Sequence, residues 1–234
     1  MQLRLESRPV GDVLVMQCAG RIVAGNEVFT LHAKVADAID KYGDIVLQLD
    51  QVEFVDSSGL GALMRLVQAA RAKSGDLKLS GVPPKVRKVL ELTNLLRQFE
   101  VYESIEEAIT ASYLGSRYSR GKTGDARPRL LCVYPSTDVC TFIRELLCGA
   151  GYNALTTTTI EDAHILLRAT KARLLIVSPR MLSLRGKPLR SAVDEINPET
   201  ALLVLDEDFA TQDPGEAAEK LLSHVGTLVA AAAN

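Results

Sequence analysis

The chain alternates short apolar runs with longer stretches in which apolar residues recur every three or four positions. The short runs predict strands, and the longer periodic stretches predict helices. In the first half, the predicted strands are residues 3–5, 13–19, 45–49, 77–79 and 99–102. Periodic stretches predict helices at residues 28–42, 60–71, 84–93 and from 104 onward, where Ser104 and Glu107 form a capping box. Strands that alternate with helices predict an α/β domain with a largely parallel sheet.

The same alternation restarts in the second half of the chain. Residues 115–127 carry Gly, Ser and basic residues without an apolar period, which predicts a flexible linker. After it, strands are predicted at residues 129–133, 152–156, 174–177 and 201–205, and helices at 139–147, 160–170 and 214–232. We therefore predict two α/β domains, at 1–114 and 128–234, joined by the linker 115–127.

Composition excludes several classes of protein. The 234 residues are 47% hydrophobic and carry a net charge of −2, which gives no basis for binding nucleic acid or an anionic membrane surface. No apolar run approaches the length of a membrane span, and the first residues are typical of a strand and not of a signal peptide. We therefore expect a cytoplasmic protein.

The candidate site is the segment Asp56-Ser57-Ser58-Gly59-Leu60-Gly61, between an apolar strand and a helix. Backbone N–H groups at a helix start have no intrahelical partner. They are therefore predicted to donate hydrogen bonds to a phosphate carried by an exposed hydroxyl. In this interpretation Ser57 caps the helix and Asp56 supplies negative charge. The two glycines leave room for a kinase. A simple helix cap is the alternative, because Asp and Ser are favoured there regardless of function.

The first half, residues 1–114, resembles the STAS family, the domain of anti-sigma factor antagonists. The resemblance rests on Phe54-Val55 with the Asp-Ser-Ser-Gly-Leu-Gly segment, on Gly20-Arg21-Ile22 and on Leu90-Glu91-Leu92-Thr93-Asn94-Leu95. It implies that Ser58 (alternatively Ser57) is phosphorylated by a partner serine kinase that is also the anti-sigma factor. It further implies that the unmodified domain binds this kinase and that phosphorylation abolishes binding. The expected partner-binding residues are Arg21, Asp56, Ser57, Gly59, Leu60 and Gly61.

One position departs from the family pattern. Antagonists usually carry an acidic residue after the glycine that ends the second strand, and Arg21 stands there in this chain. The loop from Arg21 to Asn26 therefore indicates a different kinase or a scaffold partner.

The second half more loosely resembles a response-regulator receiver domain in its order of strands and helices. Receivers hold Mg²⁺ with acidic residues after their first strand, where this chain has Tyr134-Pro135-Ser136. Receivers are phosphorylated on an aspartate at the end of their third strand, where this chain has Ser178. A hard cation needs oxygen ligands, preferably carboxylates. We therefore expect a truncated, flavodoxin-like domain that accepts no phosphate on aspartate and serves homodimerisation or docking.

The remaining candidate groups favour structural roles. Gly121-Lys122-Thr123 lacks the spacing of a nucleotide-binding loop, and the three histidines and four cysteines form no cluster. The acidic run at residues 206–208 is typical of a solvated loop. We therefore expect no enzyme activity, no cofactor and no metal ion.

The leading hypothesis is an adaptor that is switched off by phosphorylation of Ser58. The alternative is a non-catalytic scaffold or oligomerisation subunit of a signalling assembly.

Overall fold

A computed structural model describes residues 2–114, 127–184 and 186–231 of the chain. Its contacts divide the chain into two compact units, Met1–Lys122 and Thr123–Asn234. All but the last residue of the predicted linker, with its Gly121-Lys122-Thr123 segment, lies outside the described residues.

The N-terminal unit is a sheet with helices packed on it. Its strands are β1 (Arg4–Val10), β2 (Val13–Ile22), β3 (Asp44–Val55), β4 (Asp76–Ser80) and β5 (Glu100–Tyr102). Its α-helices are α1 (Asn26–Tyr42), α2 (Ser57–Ala72), α3 (Pro84–Leu92) and α4 (Ile105–Leu114), and a short 3₁₀ turn spans Leu96–Gln98.

The five strands of this unit lie in sequence order. β1 and β2 form an antiparallel hairpin, in which Gly11 takes the positive φ of 63° that the turn requires. The later pairs, β2–β3, β3–β4 and β4–β5, are parallel. Because the strands β2 and β3 are parallel, their carboxyl ends meet at one edge of the sheet, where the loop before α1 and the start of α2 come together.

The core of this unit lies between the sheet and three helices. Alternate side chains of β2, β3 and β4, such as Met16, Leu47 and Leu79, pack with buried residues of α1, α2 and α3 in one cluster. The intervening residues Val15 and Val46 are also fully buried but belong to the other face of the sheet. Helix α4 contacts β2 to β5 with buried residues outside that cluster, so both faces of the sheet are covered.

Strand β3 extends six residues beyond the apolar run that predicted it. Residues 50–55 pair with β2 as far as Ile22↔Val55, but four of them are exposed. Their polar side chains hide the strand in the sequence. The site segment therefore begins directly at the strand end.

The C-terminal unit is a second α/β fold. Its main strands are β6 (Arg129–Val133), β7 (Asn153–Thr157), β8 (Leu174–Val177) and β11 (Ala201–Val204), and a two-stranded hairpin is formed by β9 (Ser183–Leu184) and β10 (Lys187–Pro188). Its helices are α5 (Thr137–Gly149), α6 (Ile160–Thr170), α7 (Leu189–Ile196) and α8 (Pro214–Ala231), with a 3₁₀ turn at Pro179–Met181. The hairpin and α7 were not predicted.

Within this unit the parallel strands lie in the order β7, β6, β8, β11. One face of the sheet packs with α5 and α8 in a single cluster that contains Leu130 and Ile176. The opposite face presents Leu175 to residues of α6 and α7 around a small apolar cavity. Helices therefore lie on both faces of a parallel sheet.

Candidate functional site

The turn between β3 and α2 is organised by Asp56. This residue is the N-cap of α2, and its carboxylate accepts the Gly59 N–H through Oδ1 at 2.7 Å and the Ala24 N–H through Oδ2 at 2.9 Å. It thereby ties the start of α2 to the loop between β2 and α1. The prediction that Ser57 caps the helix was wrong, because Asp56 has the extended backbone of a cap and Ser57 is the first helical residue.

The same hydrogen bonds keep Asp56 ionised. Backbone N–H groups of Ala24 and Gly59 lower the pKa of its carboxyl below the ordinary value, and Ser58 N–H and the charge of Arg21 add to the effect, outweighing partial burial. The amide donors at the start of α2 therefore already bind one negative group, the carboxylate of Asp56.

Ser57 and Ser58 are exposed residues in the first turn of α2. Both hydroxyls are open to a partner from outside. The expectation that unpaired N–H groups would meet a phosphate on Ser58 needs correction, because Asp56 occupies the amides of Ser58 and Gly59. The amides of Ser58 and Gly59 are therefore not free to bind such a phosphate.

Gly59 is buried where α2 touches the end of β2. A Cβ at this position would lie 2.3 Å from the carbonyl oxygen of Ile22 and 2.9 Å from Cγ1 of Val55. Gly59 is therefore required by the packing of the helix against the strand, and its predicted role in the approach of a kinase has no structural basis. Leu60 is only 5% exposed and packs in the core, so its side chain supports the turn from inside and offers no surface to a partner.

Gly61 lies on the half-buried surface of α2. A Cβ there would lie 3.4 Å from the Nη1 atom of Arg65, so the arginine side chain folds back along the helix over this glycine. This contact depends on the conformation of the Arg65 side chain, which the sequence pattern does not contain.

Arg21 lies beside the same turn, at the end of β2. Its guanidinium carbon is 5.2 Å from the centroid of the Phe54 ring, and the two residues are paired across β2 and β3. Phe54 is 47% exposed. A cation held over a half-exposed aromatic ring is a surface suited to contact with a protein partner. The predicted site residues do not include Phe54, although it precedes the Asp-Ser-Ser segment by two positions.

A second polar cluster lies along the neighbouring strands β4 and β5. Lys78 is 6% exposed, and its ammonium donates to Glu100 at 2.5 Å and to Asp76 at 3.4 Å, while the Tyr102 hydroxyl donates to Glu100 at 3.0 Å. These groups line an open cleft of about 590 Å³. Sequence reasoning missed the cluster, because its members come from two strands that are distant along the chain.

Three of the four cysteines, Cys18, Cys132 and Cys140, are buried, and Cys148 is exposed. Burial raises the pKa of Cys18 to about 12 and that of Cys140 to about 11, so these thiols stay protonated at neutral pH. In residues 2–114, 127–184 and 186–231, no group of three or more His, Cys, Asp or Glu side chains is arranged to hold a metal ion. The same residues contain no helix long and apolar enough to cross a membrane.

Comparison with known proteins identifies the N-terminal unit. The model of the STAS domain matches residues 4–108. The protein named "Putative anti-sigma factor antagonist BtrV" of Bordetella bronchiseptica is 30% identical over 102 residues, which are 43% of this chain and 87% of BtrV. The chain belongs to the STAS domain family.

The chain is also similar to a second curated relative and to a solved structure. The anti-sigma F factor antagonist of Paenibacillus polymyxa is 26% identical over 112 residues, which are 47% of this chain and 95% of that protein. The solved structure of the anti-sigma factor antagonist SpoIIAA in its unphosphorylated form is 25% identical and covers 49% of this chain and 98% of SpoIIAA, with a TM-score of 0.42. The Bordetella and Paenibacillus relatives, both named as anti-sigma factor antagonists, thus match the N-terminal unit over 87% and 95% of their own length.

Proposed function

We propose that this protein is a phospho-regulated adaptor of the anti-sigma factor antagonist class. Its N-terminal unit binds an anti-sigma factor that is also a serine kinase, and phosphorylation of Ser58 switches this binding off. The observation that carries the proposal is the exposed Ser58 in the first turn of α2, beside the ionised Asp56, in a chain whose relatives are anti-sigma factor antagonists.

The proposed switch is a single phosphoryl transfer. The kinase moves the terminal phosphoryl group of a nucleoside triphosphate to Ser58 Oγ, the hydroxyl proton passes to a base of the kinase, and the nucleoside diphosphate leaves. The product carries about −1.5 to −2 additional charges. Because Asp56 is already negative and already holds the amides of the turn, the new charge opposes the return of the partner to this surface.

The exposed groups around Ser58 form the proposed contact surface. Arg21 and Ser57 are exposed, and Asp56 and Gly61 are half-buried. With the half-exposed Phe54, they favour a partner that presents an acidic group to Arg21 and an apolar group to the ring. Gly59 and Leu60 belong to the support of this surface and not to the surface itself.

For the C-terminal unit we propose docking or homodimerisation without phosphate chemistry. Its strand order β7, β6, β8, β11 corresponds to the first four strands of the flavodoxin-like order 2-1-3-4-5, which supports a truncated receiver-like domain. Ser178 is buried directly after β8, and under this proposal it stands where a receiver has its phosphoacceptor aspartate. A sigma factor pathway acts where transcription takes place, so the proposal places the protein in the cytoplasm.

The test of the proposal is incubation of the full chain with its cognate kinase and ATP, followed by mapping of the phosphorylated site. We expect phosphate on Ser58, no labelling of Ser58→Ala and normal labelling of the matched variant Ser57→Ala. We also expect Ser58→Asp to lose binding to the kinase. Phosphate on another residue, or unchanged binding by Ser58→Asp, would reject the switch.

The alternative is a scaffold whose Asp-Ser-Ser turn serves assembly. It predicts a large self-assembly in light scattering without any kinase. The antagonist relatives favour the adaptor over this alternative.

A further inference from the structure

Helix α2 carries an arginine on the same face as Ser58. At 3.6 residues per turn, positions 58 and 65 lie about 20° apart around the helix axis, whereas positions 57 and 65 lie about 80° apart. Positions 58 and 65 are separated by about 10 Å along the axis. Side chains on a helix lean toward its amino end, so an arginine at position 65 extends toward Ser58.

Gly61 lies between the two residues along the helix axis, and its position is about 40° around the axis from that of Arg65. The Nη1 atom of Arg65 is 3.4 Å from the point where a Cβ of Gly61 would be. The arginine side chain therefore extends toward the amino end of α2, the end that carries Ser58, and rests on a position without a side chain. Arg65 is exposed, and within the described part of the chain it forms no ion pair or hydrogen bond.

A cation near Ser58 favours the charged form of a phosphate there. Asp56 occupies the amide donors at the start of α2 and adds a negative charge next to the new group. A planar guanidinium with several N–H donors pairs well with phosphate oxygens. Arg21 lies at the same turn, but its guanidinium is held over the Phe54 ring.

We propose that Arg65 receives the phosphate of phosphorylated Ser58, with its guanidinium folded back over Gly61. This inference rests on the proposed phosphorylation of Ser58. The ion pair covers the Gly61 surface of α2 with the phosphate and the arginine, which removes that surface from a partner. It also distinguishes Ser58 from Ser57, because only Ser58 shares the face of Arg65.

The test needs no kinase. Phosphoserine is incorporated at position 58 of the full chain during translation, and the second pKa of the phosphate is measured by a ³¹P NMR titration. The same titration is made with Arg65→Gln and with Arg71→Gln, a matched control. Arg71 is an exposed residue of the same helix, paired with Asp76 at 3.1 Å and about 20 Å along the axis from Ser58.

We expect the phosphate pKa to be lower with Arg65 present than in Arg65→Gln by about half a unit or more, because a nearby cation favours the dianion. The Arg71→Gln value should equal that of the parent chain, and the Arg65 difference should shrink in about 1 M salt. Asp56 and Arg21 are unchanged in all three proteins, so their effects on the phosphate cancel.

Equal pKa values in the parent chain and Arg65→Gln would overturn the inference, as would an equal rise in Arg71→Gln. These results are independent of the kinase experiment. If Ser58 is labelled by the kinase while the pKa values agree, the role of Arg65 alone is rejected. If the pKa difference is present but no kinase labels Ser58, the proposed function alone is rejected.

Discussion

Gly59 and Gly61 are two residues apart on α2 and meet different surroundings. Gly59 faces the backbone carbonyl of Ile22, which cannot move without displacing the end of β2. Gly61 faces only the far end of the flexible Arg65 side chain. The sequence shows the same residue type at both positions, so it cannot separate the packing glycine from the surface glycine.

Alanine at these two positions should therefore have opposite effects on stability. We expect Gly59→Ala to lower the free energy of unfolding by about 1–3 kcal/mol, because the added methyl group overpacks the contact with Ile22. We expect Gly61→Ala to be neutral or to raise it by up to about 1 kcal/mol, because alanine is the better helix former. Chemical denaturation of both variants measures the difference, and equal losses would contradict this account of Gly59.

At the scale of elements, the pair β4–β5 is joined by a buried cation. Burial by itself lowers the pKa of Lys78, but the hydrogen bond to Glu100 and the charge of Asp76 outweigh it, so the pKa lies above the ordinary value. The same hydrogen bond lowers the pKa of Glu100 against the effect of its own partial burial. Each partner therefore keeps the other charged.

Neutralising Glu100 should cost more stability than replacing the buried Lys78 by an apolar residue. We expect Glu100→Gln to lower the free energy of unfolding by about 1–3 kcal/mol, because Lys78 then stays buried with a weaker partner. Lys78→Met replaces the ammonium by an apolar group of similar shape and should cost less. Urea denaturation at neutral pH compares the two, and a larger loss in Lys78→Met would show that the ion pair itself stabilises the sheet.

The elements show how far the sequence pattern reaches. Apolar periodicity predicted α1, α2, β4 and α8, because each buries a continuous face or stripe. It missed the end of β3, where pairs of exposed residues precede each single buried one, and it missed α7. Short elements of this kind are defined by their neighbours in space, and a local pattern does not contain that information.

At the scale of the whole molecule, the chain consists of two compact units, and the matched relatives correspond to the first. The similarity to BtrV extends over 87% of BtrV but over only 43% of this chain. A protein of about the size of the N-terminal unit is therefore known in the family. The unit also has its own core, in which α1, α2 and α3 pack on the sheet.

Residues 1–114 should consequently fold as an isolated fragment. We expect a cooperative thermal transition and a circular dichroism spectrum typical of an α/β protein, because the core of this unit is formed by its own residues. The fragment should also retain slow hydrogen exchange in β2 and β3, as in the full chain. Rapid exchange throughout the fragment would contradict the independence of the unit.

The sequence by itself determined the α/β alternation, the division into two halves and the place of the Asp-Ser-Ser-Gly turn between a strand and a helix. These properties follow from local periodicity and from residue types at a helix start. Only the tertiary structure decided that Asp56 is the cap bonded to Ala24, that Gly59 lies against Ile22, that Lys78 pairs with Glu100 and that Arg65 lies over Gly61. Three of these four contacts join residues far apart in sequence, and the last depends on the helix being formed, so they arise only once the sheet and its helices have packed.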